Sequence, residues 1–240
     1  LTDSKKRGTL YLIPNTLGTE SLHDIIPPGV REKISLLKHF IVENEKAARH
    51  FLKAAGIKTP QQELVLKVIE KHETNTPVRP LMQPLFEGFD TGLLSDAGSP
   101  AVADPGAAFV QFAHENNIRV VPLTGPSSIL LALAASGLNG QQFCFHGYLP
   151  VTKAEKISRL KQLEKESGIK KQTQIFIETP YRNNAMLADI LEACHHETRL
   201  CIAVDLTLPG EMIKTMTVAA WKKTKTDLHK RPAVFLILQR

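Results

Sequence analysis

Residues 93–128 constrain this chain more than any other stretch. They read LLSDAGSPAVADPGAAFVQFAHENNIRVVPLTGPSS. A short apolar run at 92–94 enters the turn Ser95-Asp96-Ala97-Gly98-Ser99-Pro100. Asp104-Pro105-Gly106 then opens a helix, with Asp104 suited to the N-cap and Pro105 to the first helical position. Phe109, Phe112 and Ala113 give that helix a buried face. A second apolar run, 118–123, ends in the turn Thr124-Gly125-Pro126-Ser127-Ser128 before a further helix. The order is strand, loop, helix, strand, loop, helix, with both loops at the carboxyl ends of strands. In open parallel sheets ligands bind at those ends, so the two loops are the expected binding site.

The rest of the chain fits around this block. Leu10–Ile13 is a first strand that runs into the loop Pro14-Asn15-Thr16-Leu17-Gly18-Thr19-Glu20. Pro27-Pro28-Gly29 breaks the chain ahead of a short helix, and 40–42 is a second strand ending at Glu43-Asn44-Glu45. Residues 45–55 read as a helix, with Ala48, Phe51, Leu52 and Ala55 at three- and four-residue spacing and Gly56 as its stop. Residues 61–72 put Leu64, Val65, Val68 and Ile69 on one stripe and read as another helix. Residues 74–84 carry three prolines and read as a loop.

Residues 129–136, ILLALAAS, are apolar nearly all round, as in a helix buried on most sides, and Gly137 ends it. Residues 143–150 are extended. Thr152 and Glu155 form a capping-box pattern at the start of an amphipathic helix with Ile157, Leu160 and Leu163 inward. A strand at 175–177 ends in Glu178-Thr179-Pro180-Tyr181-Arg182, and 184–195 is a helix. Further strands lie at 200–204 and 234–238, with 215–218 pairing with one of them. Alternating strands and helices predict a parallel sheet for the first half. The second half, with fewer crossover helices, predicts a mixed sheet. The expected architecture is two α/β domains, 1–123 and 124–240.

Charge is unevenly placed. Residues 1–123 carry 14 basic and 14 acidic side chains, while 124–240 carry 16 and 10, so the whole net charge of +6 lies in the second half. The asymmetry suits an acidic partner such as RNA. It equally suits a solvated helix, since seven of those basic residues fall in 153–171. Cys144, Cys194 and Cys201 lack metal-ligand spacing, which argues against a disulfide framework and fits a reducing compartment. His195-His196 beside Cys194 do not converge on one face, so no metal is expected. No apolar run reaches the ~18 residues that span a bilayer, and the start lacks the pattern of a signal peptide. A cytoplasmic protein is the expectation.

The loops suggest chemistry by their residue types. In Ser95–Pro100 (numbers 95–100) small residues let the backbone approach a ligand, and Asp96 can accept hydrogen bonds from an amine or a ribose hydroxyl; a plain strand-to-helix turn is the alternative. Ser127 and Ser128 offer hydroxyls and amides at a helix start, which favours anions, or they simply cap the helix. Nucleotide fingerprints of the Gly-x-Gly-x-x-Gly and Gly-x-x-x-x-Gly-Lys kind are absent, and so is a Gly-x-Ser-x-Gly elbow. A small, polar ligand not dominated by phosphate is implied.

SDAGSPAVADPG, then IRVVPLTGPSSILLALAASGL, then FCFHGYLP, resembles the tetrapyrrole methylase superfamily. Within it the chain looks most like the small-subunit ribosomal RNA methyltransferase I branch, and the similarity continues through IETPYR at 177–182. The resemblance implies two α/β domains with S-adenosylmethionine in the cleft between them, usually as a homodimer and without a metal. It puts Ile13 and Pro14 beside the cofactor, Asp96, Gly98 and Ser99 on a first loop, and Ser127 and Ser128 on a second. Glu178 and Thr179, Asp205 and Leu206, and Pro232 and Ala233 fall at later cofactor-side positions.

The chain departs from the branch where substrate would lie. Thr16-Leu17-Gly18-Thr19 stands for Pro-Ile-Gly-Asn, and Glu43-Asn44-Glu45-Lys46 for Glu-Asp-Thr-Arg. Residues 203–208, AVDLTL, stand for Ala-Arg-Glu-Leu-Thr-Lys, and Lys230-Arg231-Pro232 for Lys-Gly-Glu. The expected activity is methyl transfer to ribosomal RNA at a ribose 2′-hydroxyl. Glu43 is the candidate general base, or else a carboxylate matched to a helix start. Lys46 and Arg182 are candidate phosphate contacts, and Arg182 alternatively pairs with an acid. Two other functions stay open: methyl transfer to a small molecule or protein, and a non-catalytic protein that keeps the fold.

Overall fold

Leu10–Ile13 and Thr91–Leu94 are apolar at nearly every position. A strand with no polar face must be covered on both sides, as in parallel sheets sandwiched by helices. The computed structural model, which describes residues 6–18, 21–69, 78–103 and 105–239, has that arrangement. The chain divides into two compact units, Leu1–Ser127 and Ser128–Arg240.

The first unit runs β1 (Leu10–Ile13), α1 (Leu22–Ile25), α2 (Pro28–Ser35), β2 (His39–Val42), α3 (Glu45–Ala54), β3 (Val65–Val68), α4 (Val78–Leu81), α5 (Gln83–Phe86), β4 (Thr91–Leu94), α6 (Ala107–Glu115) and β5 (Val120–Pro122). Its strands form one parallel sheet in the order β3-β2-β4-β1-β5. Side chains alternate between two cores. Tyr11, Ile13, Phe40, Val42 and Leu94 pack with α1–α3 on one face. Leu10, Ile41 and Leu93 pack with Met82, Leu85, Phe109 and Ala113 on the other.

Three expectations for this unit are corrected. Residues 61–69, the described part of the expected 61–72 helix, are not helical: one 3-10 turn, Gln61–Glu63, leads into β3, which pairs with β2 at the sheet edge. Leu64 and Leu66 sit at period two and face the α1–α3 core, while Ile69 faces the other. The same residues satisfy a helical stripe, so spacing could not separate the two. The described part of 74–84, read as loop, holds α4 and the start of α5, with Pro84 in the first turn of α5, where a missing N–H costs nothing. The helix after Asp104-Pro105-Gly106 starts at Ala107, with Pro105 ahead of it and Gly106 at the N-cap. A Cβ on Gly106 would lie 2.7 Å from the Ala101 nitrogen, so the turn before α6 is too tight for any other residue. Asp104 lies outside the described residues, as do 74–77, 70–72, Thr19 and Glu20.

The second unit runs α7 (Ser128–Ser136), β6 (Phe143–Tyr148), α8 (Lys153–Lys170), β7 (Thr173–Ile177), α9 (Asn183–Ala193), β8 (Arg199–Val204), β9 (Met212–Thr217), α10 (Val218–Trp221) and β10 (Ala233–Leu238). The sheet is mixed, in the order β6-β7-β10-β8-β9, with only β6 and β7 parallel. Leu160, Leu163, Met186 and Ile190 from α8 and α9 pack with Phe176, Phe235 and Trp221 on one face. The Trp221 indole donates to the Leu200 carbonyl at 2.9 Å. A buried ion pair, Lys156 to Asp189 at 3.1 Å, joins α8 to α9. Glu164 accepts the His195 N–H and the Thr198 hydroxyl, anchoring the turn after α9.

Two details differ from expectation here. Helix α7 buries only one stripe, Ala132, Leu133 and Ser136, against the sheet. Leu130 is 56% and Leu131 39% exposed, so an all-round apolar sequence covers one side only. Thr152 does precede α8, but its hydroxyl bonds to the Glu155 carboxylate and not to a backbone amide. The three cysteines are free, and burial pushes the Cys194 thiol up to about 12. No helix among the described residues is long and apolar enough to cross a membrane.

Candidate functional site

In the first unit β1 and β4 are neighbours whose onward connections leave in opposite directions. The chain after β1 travels to β2 on one side, and after β4 to β5 on the other. Such a reversal opens a crevice at the carboxyl ends of the two strands, where ligands of open α/β sheets bind. The register places Ile13, Leu94 and Val42 level with one another and Pro122 level with Leu12, one residue back, so the loops after β1, β4, β2 and β5 share one edge.

These loops are tied together by side chains far apart in sequence. Asn15 is buried; its side-chain amide donates to the carbonyls of Ser95 at 3.1 Å and Asp96 at 3.0 Å. Its own N–H donates to the Gly98 carbonyl at 2.8 Å, and Gly98 N–H returns to the Thr16 carbonyl. Gly98 has φ +68°, the left-handed region that glycine enters without cost. Ser95 Oγ bonds to the Ala97 carbonyl, and Ser99 Oγ to the Pro126 carbonyl at 3.3 Å. Gly125 lies against Pro14, where an added Cβ would meet the ring carbons at 2.2 and 2.3 Å.

Each expected residue of this edge can now be located. Ile13 and Pro14 are buried, so they offer backbone rather than side chain to a ligand. Asp96 is exposed at the rim. Its N–H donates to Glu43 Oε1 at 3.3 Å, while its carbonyl takes the Asn15 amide. Asn44 rather than Glu43 caps α3, accepting the Ala47 N–H at 3.0 Å. That leaves the Glu43 carboxylate reaching across to the β4 loop instead of lying over the helix start. Lys46 is exposed on the first turn of α3, one residue from the Glu45–Arg49 ion pair. Ser127 is half-buried beside Pro126, and Ser128 begins α7 in the second unit. A pocket of about 340 Å3 opens beside the cluster, lined by Asn15, Leu17, His50, Phe51 and Asp96.

The second unit gathers its own cluster. Tyr148 is level with Ile177, Ile177 with Val234, Ala233 with Val204, and Val204 with Met212. One sheet edge therefore collects the segments after β7 and β8 and before β10. Glu178 is buried; its Oε1 accepts Thr179 N–H at 2.7 Å and Arg182 Nε and Nη2 at 3.0 and 2.7 Å. Arg182, read as a phosphate contact or an acid's partner, is thus a partner of Glu178. Asp205 takes Arg231 Nε at 2.7 Å and gives its N–H to the Pro232 carbonyl. Leu206 and Ala233 are buried beside it.

This edge holds both strain and unmet polar capacity. Asp205, Thr207 and Lys230 have φ of 50°, 69° and 59°. For a β-branched residue such as Thr207 that is an outlier, and such strain clusters at functional sites. Glu178 Oε2, Asn183 Oδ1 and Thr207 Oγ1 are buried without a hydrogen-bond partner among the described residues. Buried polar atoms are normally satisfied, so three on one edge mark where a ligand with amine or hydroxyl donors fits. Sequence reading missed Asn183 and Thr207, and placed Asn15 and Gly125 in the loops after β1 and β5 without giving either a role.

The two units define an α/β protein with clustered loops on a parallel-sheet edge and on a mixed-sheet edge. Solved structures carry this fold: the methyltransferase CobJ matches with TM-score 0.64 at 16% identity, over 97% of this chain and 94% of that one. Curated relatives are closer in sequence. "Ribosomal RNA small subunit methyltransferase I" of Pseudomonas aeruginosa is 30% identical over 96% of this chain and 78% of that protein. The Escherichia coli O157:H7 protein of the same name is 30% identical, with 96% and 78% covered. The profile of the tetrapyrrole (corrin/porphyrin) methylases matches residues 23–221, and the chain belongs to that family of methyltransferases.

Proposed function

We propose that the chain transfers a methyl group from S-adenosylmethionine to ribosomal RNA of the small subunit, at a ribose 2′-hydroxyl. The observation that carries this reading is the 30% identity with relatives of that name across 96% of the chain. The donor set supports the cofactor. Asp96 at the first edge, and Glu178 Oε2 and Asn183 Oδ1 at the second, are acceptors suited to an amine and ribose hydroxyls.

S-adenosylmethionine brings a methyl group that is already electrophilic, so the protein's task is orientation and electrostatics. Asn15 and Gly98 fix the backbone of the first loop, and Ser99 fixes it against the loop after β5. Glu43 holds the Asp96 N–H and in this reading also accepts the proton of the attacking hydroxyl. Lys46, exposed one helical turn further on, contacts phosphate. The exposed Leu130 and Leu131 of α7 support a homodimer, since an apolar face of that kind calls for cover. A cytoplasmic location follows from the substrate.

Asp96→Ala is expected to weaken cofactor binding by about 1–3 kcal/mol, the cost of an unmet hydrogen bond once the ligand covers the site. Titration calorimetry with S-adenosylhomocysteine measures this directly. Unchanged affinity removes Asp96 from the site, and no binding to the unaltered protein favours a non-catalytic role.

A further inference from the structure

Tyr181 is 70% exposed, yet its backbone is tied down on both sides. It sits on a 3-10 turn, Pro180–Arg182, closed by Arg182 N–H to the Thr179 carbonyl at 2.9 Å. The Arg182 guanidinium is fixed on buried Glu178, and the Pro180 carbonyl accepts the Lys230 N–H at 3.1 Å. The chain thus holds a large aromatic ring in water on a pinned turn.

Its neighbours are a lysine and a histidine ring. Lys230 Nζ lies 5.9 Å from the centre of the Tyr181 ring. The His229 ring meets it edge-on at 6.1 Å and 77°. Arg182 and Arg231 are each neutralised by a carboxylate, Glu178 and Asp205, but Lys230 has no ion pair among the described residues. A second tyrosine, Tyr148, is 56% exposed at the end of the adjacent parallel strand, level with Ile177. Exposed aromatics beside unpaired cations are the means by which proteins hold single-stranded nucleic acid: bases stack on rings and cations take the phosphates.

We propose that Tyr181, with His229 and Lys230, is a stacking platform for an unpaired base of the RNA substrate. Its turn directly follows Glu178-Thr179 and is bonded through the Pro180 carbonyl to Lys230, two residues before Pro232, so the RNA is gripped next to the cofactor-side residues. The inference rests on the RNA reading given above.

The test uses the full chain and a short, end-labelled single-stranded RNA of small-subunit ribosomal sequence, followed by fluorescence anisotropy. Tyr181→Ala is expected to weaken binding about tenfold or more, the range for losing a base–aromatic stack. Tyr181→Phe keeps the ring and is expected to bind as the unaltered protein does. Lys230→Gln is expected to lower the salt dependence by about one phosphate contact. S-adenosylhomocysteine affinity, measured on the same variants, is expected not to change. Equal RNA affinity for Tyr181→Ala and the unaltered protein overturns the platform and leaves the RNA reading standing. No RNA binding by the unaltered protein overturns the RNA reading and the platform with it. Loss of cofactor affinity in Tyr181→Ala, or a preference for duplex RNA, also overturns the platform.

Discussion

Gly125→Ala is expected to lower cofactor affinity and methyl transfer at least ~100-fold, the scale for displacing a binding group by about an ångström. The added carbon would sit 2.2 Å from Pro14 Cβ, well inside contact distance. Neither partner can step aside. Pro14 follows Ile13, which is fully buried and paired with Leu94, and precedes Asn15, which is bonded to three carbonyls or amides of the β4 loop and its own turn. On the other side, Pro126 receives the Ser99 hydroxyl. The clash must therefore move the loops themselves, at about 1–3 kcal/mol of overpacking strain. Circular dichroism with calorimetry separates the outcomes: a folded protein that no longer binds S-adenosylhomocysteine is expected. Unchanged affinity would mean these loops do not hold the cofactor.

Lys156→Met carries the largest expected cost in stability, about 3–5 kcal/mol, the usual result of stripping one partner from a buried pair. Lys156 and Asp189 are 4% and 9% exposed and 3.1 Å apart, so removing the ammonium leaves a carboxylate desolvated between α8 and α9. The neighbouring Lys153–Glu192 pair at 2.8 Å is exposed, and water screens it, so it cannot compensate. Chemical denaturation reads the loss as a lower midpoint with unchanged slope. Lys156→Met combined with Asp189→Leu is expected to recover most of it, because replacing both charges removes the unpaired group. A single-variant cost under about 1 kcal/mol would show that the pair is hydrated.

What the sequence revealed depended on how local the signal was. The two sheets were legible because strands covered on both faces read as apolar runs, and Leu10–Ile13 and 200–204 could be little else. Residues 61–72 failed because Leu64, Leu66 and Val68 recur at two while Leu64, Val65, Val68 and Ile69 recur at three and four. Only the open edge of β2 decides between them. Helix α7 failed for a similar reason: its composition states that it can be buried, not how much cover it receives. At the site, the loops after β4 and β5 were visible as clusters of small residues. The contacts that shape them were not, since Asn15 reaches Ser95 and Glu43 reaches Asp96 across more than fifty residues. Arg182 and Glu178, four apart, were near enough to suggest a pair, but the burial of the carboxylate comes only from the fold.

The most direct measurement is methyl transfer itself. Purified protein and S-adenosylmethionine labelled on the methyl group are incubated with small ribosomal subunits from cells lacking this protein. Label in the ribosomal RNA, in a dinucleotide that survives alkaline hydrolysis, is the expected result, because a 2′-O-methyl blocks cleavage at that position. No transfer, or label confined to a base, a protein or a small molecule, would contradict it.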